Sequence, residues 1–409
     1  MIRIGILRET KVKTDNRTPI VPADVANLIE RWKGNIEILV QPSVIRCYTD
    51  DEYRAAGAIV TDNLSCCDYV FGIKEPRPSS LIEGMHYFFF GHIREDKPYE
   101  YPLIRALVEK KCTLTDYDLL MTNVSIKQFS VFAGFVGAYN ALRLYGLRNN
   151  LYDLPPAQYC GSRATMIEKV LEVADIIQRN KVKVVITGRS AAYLGAVTLL
   201  DYVMENDPTK AEFLASNKAM CYSAVSLDTM ERIDNGVYSR TEYHHQPELY
   251  HSKFGAFVRA ADILIACHSW NNSEPELLTL DMLNDSNRRL SVISDVVADI
   301  NGSLCTTIRH SSHSDPFYDV NPDTLEEVFP FLYDKCISVC AVDTLPNALP
   351  KEASDAFSKD LCTHVIDDMF NKGLFLFKEN LRDYQVVTGG VITERCKHLE
   401  SMLLDNVNK

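Results

Sequence analysis

The stretch that most constrains this chain runs from Lys181 to Leu200, where a β-branched run stops on a turn and resumes as a helix-compatible segment. Val182, Val184, Val185 and Ile186 favour a buried strand, Thr187-Gly188-Arg189-Ser190 supplies turn chemistry, and Ala191 onward suits a helix. Strand, tight turn and helix in that order place helical N–H groups at the carboxyl edge of a sheet, where a dinucleotide pyrophosphate can sit. The spacing is Gly188-x-Ser190-x-x-Tyr193, with a further glycine at Gly195, against the Gly-x-Gly-x-x-Gly of a dinucleotide fingerprint. The pattern alone leaves two readings open, a cofactor cradle and an ordinary buried βα unit.

With 409 residues and 46% hydrophobic content the chain has material for roughly two or three domains with sizeable cores. Lys and Arg number 43 against 55 Asp and Glu, a net charge of −12, which disfavours a general nucleic-acid or anionic-membrane surface. The 12 cysteines are scattered, with no Cys-x-x-Cys pair, and no metal is expected. No carboxylate partner for His244, His245 and His251 is evident in the sequence, and they do not change that reading. Arg3 and Arg8 interrupt the amino terminus, so a signal peptide is not expected, and the chain reads as cytoplasmic and reduced. Gln128 to Leu142 is nearly free of charge but too short to span a bilayer, and is expected as a buried helix, not a membrane segment.

Taken in order, strands are expected at Ile2–Leu7, Ile36–Val40, Tyr69–Ile73, Tyr87–Phe90 and Cys112–Leu114, interleaved with helices after Pro22, at Glu52–Ala58 and at Ile104–Glu109. Each strand delivers polar residues at its carboxyl end, which describes an open α/β sheet whose active edge gathers Lys11, Arg17, Lys74, Glu75, His92 and Asp118. Phe129–Leu147 reads as one long helix crossing between domains, with Ala133, Gly134, Gly137 and Ala138 as a close-packing face. A connector with Pro155-Pro156 precedes an amphipathic helix at Met166–Gln178, and Asp207-Pro208 marks a break. Further strands are expected at Met220–Val225, Ala261–Cys267, Asn287–Val296 and Ser338–Val342, with Arg309–Asp319 a solvated loop. The tail is expected as helices at Ala353–Leu361, His364–Asn371 and Ile392–Leu404. At the end of the second cradle strand, where an NAD fingerprint carries an acid, this chain has Ser223, with Arg232 following.

Several short motifs now agree. Arg8-Glu9-Thr10-Lys11, Asp15-x-Arg17, Gly72-Ile73-Lys74-Glu75-Pro76, Gly91-His92, Asp116-Tyr117-Asp118 and Phe132-Ala133-Gly134 resemble the family of alanine dehydrogenase, the transhydrogenase α subunit and lysine-forming saccharopine dehydrogenase. Asn287-Arg288-Arg289-Leu290, Asp295-Val296-x-Ala298-Asp299 and Asp343-x-Leu345-Pro346 are similar to the saccharopine branch in particular.

The resemblance implies an α/β fold of two Rossmann-like lobes with a cleft between them, the cofactor lobe (131–344) inserted into a substrate lobe (1–130 plus 345–409). It implies NAD or NADP as cofactor and small-molecule amino-acid and 2-oxo-acid substrates, in the reversible oxidative cleavage of a secondary amine. Lys74 and His92 match the catalytic pair, residue types suited to proton exchange when the lysine is desolvated or flanked by cations. Arg17 matches a carboxylate-binding fork, Lys11, Asp15, Glu75 and Asp118 match charged residues around it, and Lys127 and Asp299 are assigned with them to substrate. Gly188, Arg189, Ser190, Ala191, Ser223, Asp295, Asp343 and Leu345 are assigned to the cofactor. The chain departs from the family at Val124–Gln128, where a paired Arg gives way to Lys127 alone, and in the cradle, where Tyr193 and Ser223 stand. A second expectation follows from those departures: a lobe without dinucleotide binding, acting as a ligand-binding protein or a non-redox imine or carbonyl enzyme.

Overall fold

A computed structural model describes residues 1–11, 14–93, 101–120, 126–206, 208–371, 379 and 381–404. The break expected at Asp207 and the departures at Val124 and Ser125 lie outside them. Two compact units divide the chain, Met1–Gln128 with Pro350–Lys409, and Phe129–Leu349, so the second is inserted in sequence between the two segments of the first.

In the first unit β1 (Ile2–Ile6), β2 (Ile36–Val40), β3 (Ile59–Val60), β4 (Tyr69–Lys74), β5 (His86–Phe90) and β6 (Thr113–Asp116) pair in parallel, in the order β3-β2-β1-β4-β5-β6. This is the strand order of a dinucleotide-binding α/β sheet, whose direction of winding reverses between β1 and β4. Helices cover both faces of such a sheet, which is why β4 and β5 read as continuous apolar runs without alternation. A hairpin, Gln385–Thr388 with Val391–Ile392, adds antiparallel strands beyond β6. The final helix expected from Ile392 is therefore shorter: Gly389 and Gly390, both at positive φ, turn the chain into the hairpin, and helical structure resumes only at Glu394.

In the second unit β7 (Lys183–Thr187), β8 (Met220–Ala224), a small hairpin of β9 (Met230–Arg232) and β10 (Tyr250–Ser252), β11 (Ile263–Ala266), β12 (Val292–Asp295), β13 (Tyr318–Val320), β14 (Glu327–Val328) and β15 (Ile337–Cys340) follow in sequence. The main sheet has the order β8-β7-β11-β12-β15-β13-β14, parallel as far as β15, and its winding reverses between β7 and β11.

The long helix runs Gln128–Arg148, and the division between units falls at its amino end, so it belongs to the second unit but for Gln128. Its small-residue face meets the cradle helix Ala191–Leu200 backbone to backbone: a Cβ on Gly134 would stand 1.7 Å from the Ala192 carbonyl oxygen, and one on Gly195 1.8 Å from that of Val131. Gly195 is thus spent on helix–helix contact.

Two expectations are corrected by packing. The helix expected over Met166–Gln178 breaks at Val173 into Arg163–Glu172 and Ala174–Arg179. The loop expected to stay solvated through Asp319 instead enters β13, where Asp319 is fully buried, accepts from Ser338 Oγ at 2.5 Å and pairs with Arg148 at 3.4 Å. Among the described residues no helix is long and apolar enough to cross a membrane.

Candidate active site

In an open α/β sheet the ligand crevice lies outside the carboxyl ends of the strands where the winding reverses. In the first unit that is the β1/β4 position, and β5 and β6 lie beside it. β4 ends on Lys74 and continues as Glu75, β5 runs through Gly91 into His92, and β6 ends on Asp116 two residues before Asp118. Lys74 Nζ lies 3.3 Å from His92 Nε2, and His92 Nδ1 lies 2.7 Å from Asp118 Oδ2. With a carboxylate accepting at Nδ1, that nitrogen carries the proton and Nε2 is left to accept from the Lys74 ammonium. His92 is held at φ +49°, a left-handed backbone rarely adopted by non-glycine residues, with its ring stacked on Phe90 at 5.7 Å.

Lys11 Nζ pairs with Glu75 Oε1, while Glu75 Oε2 is buried without a hydrogen-bond partner among the described residues. Arg17 is buried and spends its fork on Asp15, Nε to Oδ1 at 2.9 Å and Nη2 to Oδ2 at 2.6 Å. Burial pushes the Asp15 carboxyl up, but the Arg17 guanidinium, by charge and hydrogen bonds, outweighs it and holds the group below its ordinary value. A substrate carboxylate meeting Arg17 would have to compete with Asp15. Lys127 is exposed just ahead of the long helix.

Two buried carboxyls missing from the expected site stand directly behind it. Glu9 accepts the backbone N–H of Ile73 at 2.7 Å and of Lys74 at 2.9 Å, one on each oxygen. Burial and the charge of Asp15 push its carboxyl up to about 7, against the pull of those N–H groups and of Arg17. Asp116 accepts from Gly91 N at 3.2 Å and Asp118 N at 2.9 Å, and burial followed by the Asp118 charge raises it well above the usual carboxylate range. Glu9 belongs to a quoted motif, yet no periodicity distinguishes a side chain that turns inward to meet backbone donors.

In the second unit the reversal lies between β7 and β11, and the cradle turn sits there. Gly188 adopts φ +79°, and a Cβ on it would come within 2.9 Å of His268 Cα. Ser190 flanks the helix Ala191–Leu200 without capping it; its hydroxyl donates instead to the Cys267 carbonyl at 2.8 Å. Ser190 thus gives the first turn of that helix no side-chain cap. Ser223 Oγ donates to the Gly188 carbonyl at 3.1 Å, and Arg189 is exposed on the same turn. Arg232 is occupied with Asp234 and Glu242.

His268 completes this edge and was not among the expected residues. Its Nδ1 lies 2.6 Å from Thr187 Oγ1 and its Nε2 2.9 Å from Ser303 Oγ, and burial pushes the imidazole down to about 4, so it is neutral. A strand ending on a polar residue, the signal that singled out His92, also marks His268 at the end of β11. Asp295 is buried and engaged by its own loop, accepting from Val297 N, Ala298 N and Thr307 Oγ1, and burial raises it to about 6. Asp299 lies on that same loop, close enough to His268 to act on its charge, and belongs to the second unit. Asp343 is exposed and Leu345 is buried at the start of a short turn after β15.

Comparison with known proteins gives concordant results. Residues 5–136 match the family described as alanine dehydrogenase/PNT, N-terminal domain, and residues 189–399 match alanine dehydrogenase/PNT, C-terminal domain. An alpha-aminoadipic semialdehyde synthase of Arabidopsis thaliana is 27% identical over 88% of this chain, which spans 38% of that longer protein. The saccharopine dehydrogenase [NAD(+), L-lysine-forming] of Yarrowia lipolytica is 23% identical, over 89% of this chain and 92% of its own length. Among solved structures an L-alanine dehydrogenase superposes with a TM-score of 0.63 at 17% identity over 98% of this chain and 100% of its own, so the two-Rossmann architecture is shared.

Proposed function

The chain belongs to the alanine dehydrogenase/PNT family, and from that premise we propose that it is a dinucleotide-dependent oxidoreductase joining or cleaving a secondary amine between a lysine-like amino acid and a 2-oxo acid. The observation that carries this reading is the Asp118–His92–Lys74 relay at the carboxyl ends of neighbouring strands. Cleavage of a secondary amine requires a proton to leave the nitrogen, another to leave the attacking water, and one to reach the departing amine. Two neighbouring nitrogen bases backed by a carboxylate can pass those protons in turn. Lys74 faces the reacting nitrogen and His92 exchanges with it, while Asp118 fixes the imidazole tautomer and steadies its cation. The Glu75 oxygen that has no partner among the described residues suits an ammonium on the amino-acid partner. Lys11, although paired with Glu75, is exposed and so can reach a substrate carboxylate, whereas Arg17 is buried on Asp15.

The dinucleotide supplies a hydride acceptor or donor at its nicotinamide ring. The second unit's edge fits such a group: a left-handed Gly188 that leaves no space for a Cβ, and a helix start at Ser190 and Ala191 whose first turn Ser190 leaves uncapped for a pyrophosphate. Ser223 brings no negative charge to the place where an acid selects NAD, and Arg189 is the nearest exposed cation on the turn, so NADP(H) should bind at least as well as NAD(H). All 12 cysteines are unpaired, which suits a reducing compartment such as the cytosol.

The test is the nicotinamide absorbance of NADPH and of NADH mixed with enzyme, lysine and 2-oxoglutarate, followed by a panel of other amines and oxo acids. Oxidation that requires both organic substrates is expected. No oxidation of either dinucleotide with any pair contradicts the reading.

A further inference from the structure

β1 ends at Ile6 and its last backbone bond to β4 is Leu7 N–H to the Phe71 carbonyl at 2.8 Å, three residues short of Lys74. On the other side of β4 the pairing with β5 shifts register between Phe71 and Lys74. The pairing with β5 resumes at Lys74 opposite Phe90, so the end of β4 is held by an irregular ladder on that side and by no β1 backbone bond on the other. The N–H groups of Ile73 and Lys74 are met instead by the two oxygens of Glu9, at 2.7 and 2.9 Å. One side chain from the β1 end replaces the missing strand at the position where the winding reverses.

We propose that Glu9 is a positioning residue which, as a carboxylate, fixes the end of β4 and so aims the Lys74 amine at His92; this deepens the functional reading above and rests on it. The chemistry is one of acceptor strength. A carboxylate receives both N–H groups in charge-assisted bonds, whereas a neutral carboxyl carries a proton on one oxygen, which then accepts more weakly. Protonation therefore weakens one of the two backbone bonds, at Ile73 or at Lys74, that hold the end of β4. Among the described residues, the charged and titratable groups acting on Glu9 are Asp15 and Arg17 from its own loop and Tyr117 from beyond β6, with Lys74 acting on the neighbouring Asp15. Burial and Asp15 oppose its charge, the two N–H groups and Arg17 support it, and the balance near 7 puts the change within the neutral range. Tyr117, fully buried with its hydroxyl unpartnered among the described residues, offers Glu9 no alternative charge.

The experiment uses the full chain as wild type, Glu9→Gln and Glu9→Asp. The acetylation rate of Lys74 by an activated ester is mapped by peptide mass spectrometry across neutral pH, together with kcat and KM. Wild type should show a break in the Lys74 profile near neutrality that exposed lysines lack. Glu9→Gln should abolish the break and lower kcat by about tenfold to a hundredfold with KM changed less than about threefold. Glu9→Asp keeps the charge on a shorter arm and should recover part of both, and it serves alone if Glu9→Gln fails to fold. A Lys74 profile and kcat that are the same in Glu9→Gln as in wild type overturn the proposal. If the break depends on Glu9 while wild type turns over no amine, oxo acid and dinucleotide combination, positioning stands and the functional reading fails.

Discussion

The two units place a site at the same topological point and furnish it in opposite ways. At the β1/β4 edge, Glu9, Lys11, Asp15, Arg17, Lys74, Glu75, His92, Asp116 and Asp118 crowd together, most of them paired and several buried. At the β7/β11 edge the hydrogen-bonded groups are hydroxyls, backbone and a neutral imidazole, Thr187, Gly188, Ser190, Ser223, Cys267, His268 and Ser303, with Asp299 and Arg189 as the charges nearby. Topology decides where a crevice falls, and side chains decide its task. An edge full of titratable groups suits the proton transfers proposed above. An edge of dipoles and N–H groups suits a ligand that brings its own negative charge.

The largest test of that division is in turnover. Lys74→Met and His92→Gln should each lower kcat by about 10²- to 10⁴-fold while dinucleotide affinity, read by calorimetry, stays within about threefold. If affinity falls with kcat, the two edges do not divide the labour. Next in size, Gly195→Ala sets a Cβ 1.8 Å from a backbone carbonyl oxygen of the long helix. Its cost, read from denaturant midpoints, should reach or pass the top of the about 1–3 kcal/mol range for overpacking. A neutral result would mean the cradle helix is not pinned there.

The smallest effect is a contrast in pH slope. Glu9 is raised from 4.5 to about 7 on folding, so between those values the folded state keeps a proton the unfolded chain has released, and Glu9 makes stability fall as pH rises. His268 is lowered from 6.5 to about 4, so in that window the unfolded chain holds the extra proton, and His268 makes stability rise with pH. Relative to wild type, Glu9→Gln should remove a fall and His268→Gln a rise. Slopes of the same sign in the two variants would break the contrast.

Much of the first edge was legible in sequence because strands that run out into charged residues announce themselves: Lys74, Glu75, His92 and Asp118 each follow an apolar run. Glu9 and Asp116 were not, since a carboxyl that folds back onto backbone N–H groups leaves no mark in spacing. Arg17 was legible as a fork but not as a fork already filled by Asp15. In the second unit Gly188 and Ser190 were readable as a turn, whereas the role of Gly195 depends on a helix sixty residues earlier in sequence, near Gly134. Asp319 misled because a charged residue in a polar stretch reads as solvated until its buried partner, Arg148, is in place.

The most direct test of the central claim is calorimetric titration of NADPH into wild type, Lys74→Met and Gly188→Ala. Gly188 stands at φ +79° with His268 Cα 2.9 Å from where a Cβ would fall. The account predicts binding to wild type and Lys74→Met within about threefold of one another, and at least about tenfold weaker binding to Gly188→Ala. Wild type that binds neither NADPH nor NADH, or Lys74→Met that loses the affinity Gly188→Ala retains, would contradict it.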